Sequence, residues 1–165
     1  MYQKKLYGVH LMKIKHVLLF CAVTLIFSSG SLYSESKLSP VGLWKSIDDK
    51  TGDALSHIQI YEKKGKIHGK IVKLLKKPPD QKCDKCKGDR KDKPVVGMEM
   101  LWGLPKHKKK PNKWGEGKIL DPGNGKTYRA SIEILDGGKK LKVRGYIWFF
   151  GSEAAGRTQF WYRIK

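Results

Sequence analysis

The chain has no apolar stretch of the ~20 residues that a membrane-crossing helix needs; its main apolar run, Val17 to Phe27, is about half that length. Helical periodicity is also missing. Apolar residues do not recur at three- and four-residue intervals after that run, which argues against a helix bundle and against any sheet built through crossover helices. Acid is scarce, with 15 Asp+Glu against 35 Lys+Arg and a formal net charge of +20. The signatures of common chemistries are absent as well. No serine sits in a nucleophile elbow, no glycine-rich phosphate loop opens a helix, and the adjacent carboxylates Asp48 and Asp49 fall in a turn. Three cysteines leave no room for two CxxC pairs. Binding is therefore favoured over catalysis, with no cofactor expected.

What is present begins with an export pattern. Lys13 and Lys15 precede the apolar run, and Ser28, Ser29, Gly30, Ser31 and Ser34 follow it, matching the charged, apolar and small-residue regions of a secretory signal. Met12 reads as the start, with cleavage expected after Gly30 or Ser34. The rival reading is an uncleaved anchor; Cys21 suits a lipoprotein poorly because Phe20 is bulky and apolar residues continue beyond it. Residues 1–34 thus form extension and signal, and 35–165 a single domain exported to the periplasm, or beyond it to the cell surface or medium. Removing 1–34 takes four lysines and no acid, leaving 31 basic against 15 acidic residues. Outside the cytoplasm that excess points to anionic envelope components or acidic ligands rather than nucleic acid.

Alternating and turn-bounded segments fill the rest. Strands are predicted at Val41–Ile47, Ser56–Glu62, Lys66–Leu75, Val95–Leu104, Trp114–Leu120, Thr127–Leu135, Lys140–Phe150 and Arg157–Ile164. Lys63-Lys64-Gly65 and Asp136-Gly137-Gly138 are hairpin turns, and Gly151 to Gly156 reads as a loop. About eight strands joined locally must pair antiparallel as a meander, and closing the meander removes both free edges. The expected fold is an all-β, eight-stranded up-and-down barrel, with an open sandwich as the structural rival.

The charged loop 76–94 holds Cys83 and Cys86 and lacks apolar residues to bury, which places it on the surface. In an oxidising compartment the pair reads first as a disulfide. Two rivals are a thiol oxidoreductase and a metal site drawing on His107, Asp80, Asp84 or Asp89. No thioredoxin-like unit surrounds the pair, and Lys87 stands where haem attachment requires histidine. His57, His68 and His107 read as surface residues.

On Lys140–Phe150, strand alternation sets Arg144, Tyr146 and Trp148 on one face and Leu141, Val143, Gly145 and Ile147 on the other. If the apolar row points inward, the barrel is packed; if the Arg-Tyr-Trp row does, it lines a pocket. The same choice applies to Tyr128 and Arg129, and to Gln159, Trp161 and Arg163. Gly42-Leu43-Trp44 resembles the Gly-x-Trp that opens lipocalins and related calycin barrels. The resemblance implies a Trp44 that plugs one end under an arginine of the last strand, Arg163 or Arg157.

A wider set occurs in one order: Gly42 to Lys45, Tyr61 to Lys63, Gly69 to Ile71, the cysteine pair, Pro94 to Gly97, Asp121-Pro122, Gly125 to Tyr128, Leu141 to Tyr146, and Gly156 to Gln159 with Trp161 and Arg163. Together these resemble the domain of unknown function 2147 family of exported bacterial proteins. That resemblance implies a lipocalin-like barrel outside the cytoplasm and no established activity. The candidate ligand-binding residues are Trp44, Tyr128, Arg129, Arg144, Tyr146, Trp148, Gln159, Trp161 and Arg163. The expected ligand is small and anionic or amphipathic. The alternative is an envelope adhesion or scaffold module acting through an outer basic and aromatic surface.

Overall fold

A computed structural model describes residues 38–165. The expected signal, its cleavage positions and the Met12 start lie outside the described residues. Eight antiparallel strands follow one another in chain order: β1 Gly42–Ile47, β2 Ala54–Lys63, β3 Lys66–Leu74, β4 Glu99–Pro105, β5 Lys113–Asp121, β6 Lys126–Leu135, β7 Lys140–Phe149 and β8 Ser152–Arg163. Each pairs with its sequence neighbours, and β1 pairs back onto β8 through Trp44↔Arg163 and Ser46↔Trp161. The sheet is a closed barrel, and every pair of the circuit lies between Gly42 and Arg163.

Alternation decides the interior. Trp44 and Ser46 on β1, Ser56, Ile58 and Ile60 on β2, and Leu141 and Val143 on β7 are buried, as are Ala130, Ile132 and Ile134 on β6. Trp44, Ile60, Leu101, Leu141 and Trp161 are completely shielded from solvent. The apolar row of β7 thus faces inward.

Two turns show why the local sequence takes its shape. Lys64 and Gly65 both adopt positive φ, 52° and 71°, the geometry whose twist matches paired strands. Gly125 has φ 71°, and a Cβ there would collide with the carbonyl of Lys85. The β5–β6 turn and the cysteine loop are therefore pressed backbone to backbone.

Three expectations need correction. The strand predicted from Val95 starts only at Glu99, because Val95 N–H bonds the Gln81 carbonyl at 2.9 Å and Gly97 turns the chain at φ 89°. The predicted loop from Gly151 to Gly156 is strand, paired with β7 from Phe149↔Ser152 onward; the reversal is the two residues Phe150 and Gly151, both at positive φ. The loop 76–94 is not merely superficial. Its disulfide is buried, with Cys83 at 0% and Cys86 at 3% exposure, and joins the core because two half-cystines supply the apolar surface its charged residues lack.

Candidate functional site

In an up-and-down barrel the loops alternate between the two ends. One end receives the approach to β1, the β2–β3, β4–β5 and β6–β7 connections and the exit from β8. There the barrel is sealed. The Arg163 guanidinium lies 4.2 Å from the centre of the Trp44 ring and donates to three carbonyls, Gly138 at 2.6 Å, Val41 at 2.9 Å and Ser39 at 2.7 Å. Trp44 Nε1 donates to the Pro40 carbonyl at 2.8 Å. Burial lowers the Arg163 pKa from its usual value, yet a guanidinium stays charged, so the carbonyls take a full cation. Gly42 permits this convergence: its φ is 140°, and a Cβ would strike the Lys165 carbonyl and the Arg163 side chain.

The other end is open. A cavity of about 860 Å³ enters between the β1–β2 loop, the cysteine loop, the β5–β6 turn and the β7–β8 hairpin. Its floor is Trp161 with the hydroxyls of Ser46 and Ser56, which lie 2.8 Å apart. Its walls include Ile58, Ile71, Met100, Ile119 and Val143, with Tyr128 and Gln159. Lys76, Lys77, Lys82 and Lys85 stand at the rim. Trp161 is fully buried, and among the described residues its Nε1–H has no hydrogen-bond partner. An unpaired buried donor costs ~1–3 kcal/mol, so an acceptor that reached it would be strongly held.

Arg157, directed inward from β8, meets the β1–β2 loop at the mouth. It bonds Asp49 through Nε at 2.7 Å and approaches Asp48 at 3.5 Å. Hydrogen bonds from the backbone N–H groups of Lys50 and Thr51 hold Asp48 below the ordinary carboxylate range, and the bond from Arg157 does the same for Asp49.

Of the sequence-predicted residues, Tyr128, Gln159 and Trp161 line the cavity, and Tyr146, from the outer row of β7, borders it. Trp44 and Arg163 seal the opposite end, Arg163 rather than Arg157 taking that place. Arg129, Arg144 and Trp148 lie on the outer face. Arg129 covers the Trp148 ring at 5.2 Å, and Arg144 bonds Glu153 at 2.9 Å and Thr158 at 3.3 Å. Correction is needed here in two respects: these three side chains do not reach the interior, and an inward apolar row does not fill the barrel. Sequence reasoning missed Ser46, Ser56, Arg157 and the rim lysines; the inward register of Ser46, two residues after Trp44, was the available signal.

Cys83 and Cys86 are joined, S–S 2.04 Å, beneath the loop that forms part of the rim. On the outer face, Tyr61 donates to Glu99 at 2.7 Å, and His68 Nδ1 lies 2.9 Å from the same oxygen. Burial, then the bond to Glu99, push Tyr61 up to about 12. Burial alone would raise Glu99, but the bonds from Tyr61 and His68 outweigh it and hold the carboxyl low.

With this geometry, comparison with known proteins becomes informative. A family model described as an uncharacterized protein conserved in bacteria, DUF2147, matches residues 42–163, from the first strand to the last. The chain belongs to the DUF2147 family. No curated protein matches this DUF2147 chain. Among solved structures it is similar to protein HP1028 from the human pathogen Helicobacter pylori, described as belonging to the lipocalin family. The TM-score is 0.65 at 19% identity, covering 78% of this chain and 84% of that one. At that identity the likeness establishes a shared lipocalin-like fold for this DUF2147 member.

Proposed function

We propose that this DUF2147 protein is an exported, periplasmic binding protein that holds a small amphipathic anion in its barrel and does not transform it. The observation that carries the reading is the cavity itself: one-ended, walled by apolar side chains, with the unpartnered Trp161 Nε1 and the Ser46 and Ser56 hydroxyls among its lining groups and four lysines against Asp48, Asp84 and Asp121. Its volume lies within the range of small-molecule sites, ~300–1,000 Å³. An apolar body would replace water along Ile58, Ile71 and Val143, an acceptor group would meet Trp161 Nε1, and an anionic head would stay among Lys76, Lys82 and Lys85.

Native mass spectrometry of protein taken from its own envelope, followed by a thermal-shift screen of amphipathic carboxylates, tests this. A retained small molecule or a dose-dependent stabilisation is expected. Trp161→Phe keeps most of the ring and removes the N–H; it should weaken binding of an acceptor-bearing ligand about tenfold. An empty protein that no carboxylate or lipid stabilises would sink the proposal.

The scaffold reading draws on one observation, the lysine-rich sealed end. The β2–β3 and β4–β5 loops expose Lys63, Lys64, Lys66, Lys106, Lys108, Lys109 and Lys110 against the single acid Glu62. Salt-sensitive binding to an anionic polymer, unchanged by Trp161→Phe, would select it.

A further inference from the structure

The β7–β8 hairpin presents its largest apolar side chains to solvent. Phe150 is 92% exposed, Phe149 60%, Ile147 52% and Trp148 45%. Scattered exposed apolar residues are ordinary, but four consecutive ones at one hairpin tip are not. Phe149 and Phe150 pack edge to face, 4.3 Å between centroids, so the tip is a defined aromatic surface. Phe150 also occupies positive φ, 44°, a conformation a bulky residue enters only at a cost. Nothing inside the barrel requires an aromatic there.

Cations surround this tip. Arg129 lies over Trp148. Between the hairpin and the cysteine loop is a hollow of about 430 Å³, bordered by Cys86, Lys87, Arg90, Lys126, Tyr128 and Ile147, with no carboxylate among its lining residues. Glu153, the acid on the hairpin, is bonded to Arg144. The cysteine loop contributes eight basic residues against four acidic ones. The tip, the hollow and the cavity mouth are all at the same end of the barrel, and Ile147 borders both the cavity and the hollow.

We infer that the open end docks on an anionic phospholipid bilayer, the Trp148-Phe149-Phe150 tip entering the interface while Lys87, Arg90 and Lys126 receive headgroup phosphates. Aromatic rings belong at the boundary between headgroups and acyl chains, and lysines and arginines beside them add attraction to an anionic leaflet. A phospholipid supplies both complements side by side, an apolar boundary for the aromatic tip and phosphates for the carboxylate-free hollow of cations next to it. Docked this way, the mouth faces lipid. The inference stands on the tip and the hollow and is independent of what the cavity holds.

Flotation of the 35–165 chain with vesicles tests it, using phosphatidylcholine alone and phosphatidylcholine mixed with phosphatidylglycerol at low and high salt. Binding to the mixed vesicles at low salt is expected. Phe149→Ser/Phe150→Ser and Lys87→Glu/Lys126→Glu should each weaken it at least about tenfold, whereas Lys108→Glu/Lys109→Glu/Lys110→Glu, at the sealed end, should stay within about twofold. Thermal unfolding of each variant establishes that it is folded. Wild-type protein that does not float with the mixed vesicles overturns the inference, as does loss of binding only in the sealed-end variant. Sedimentation that reveals a tip-dependent dimer without lipid binding also overturns it and assigns the patch to a second copy. Ligand-induced thermal shifts of the tip variants read the cavity separately, so each reading fails on its own measurement.

Discussion

Arg163 concentrates more of the structure into one side chain than any other residue described. Three charge-assisted bonds to backbone carbonyls fix the approach to β1, the β6–β7 turn and β8 together, and the Trp44 face adds a cation–π contact. Charged hydrogen bonds each contribute ~1.5–3 kcal/mol; Arg163→Leu should therefore lower the denaturation free energy by at least ~2 kcal/mol, measured by urea titration. Arg163→Lys should recover little, since an ammonium cannot span three carbonyls in a plane. Tyr61 gives a prediction in alkali. Its pKa, pushed up to about 12, means the folded state keeps a proton that the unfolded state releases near pH ~10. That contribution to stability is complete below about pH 10 and is lost as pH rises through about 12. Burial raises Tyr146 as well, so phenolate absorbance should show two tyrosines ionising later than the rest, and Tyr61→Phe should remove one of them. The acid side has the opposite sign: Asp48 and Asp49 are held low in the fold, so their contribution is present above about pH 4 and fades as pH falls below it. Arg157→Gln should flatten the drop in thermal midpoint over that range.

Among the elements, the cysteine loop is the one whose role could not be read from its residues. Its charges and prolines correctly mark an exposed segment, but Cys83 and Cys86 bury themselves beneath it, and the fit of Gly125 against Lys85 depends on a tertiary approach that no local pattern encodes. Gly125→Ala should cost more than ~1 kcal/mol, because positive φ and a backbone collision act together; calorimetry would check it. Cys83→Ser/Cys86→Ser should lower stability toward the small end of the usual ~2–4 kcal/mol, given the short loop closed, and should speed proteolysis within residues 76–94. Hairpin turns were far more legible. Lys64-Gly65 carries its geometry in its sequence, whereas Phe150-Gly151 hides a tight reversal behind an atypical residue, which is why β8 begins five residues before the predicted Arg157. Of the site, Trp161, Gln159 and Tyr128 were visible as one face of alternating strands. Arg129, Arg144 and Trp148 were misplaced because alternation yields two faces and does not say which is inner; burial against the other strands settles it.

At the scale of the molecule, the barrel has a sealed pole and an open one, and its closure joins residues about 120 positions apart in sequence. Such a contact is among the last a folding chain can make, since loop-closure entropy must be met before the pairing rewards it. Until a ribosome has passed Arg163, β1 has no partner on its outer side and Trp44 no lid. The nascent barrel therefore stays unclosed until its eighth strand has been made, a curved sheet rather than a finished vessel.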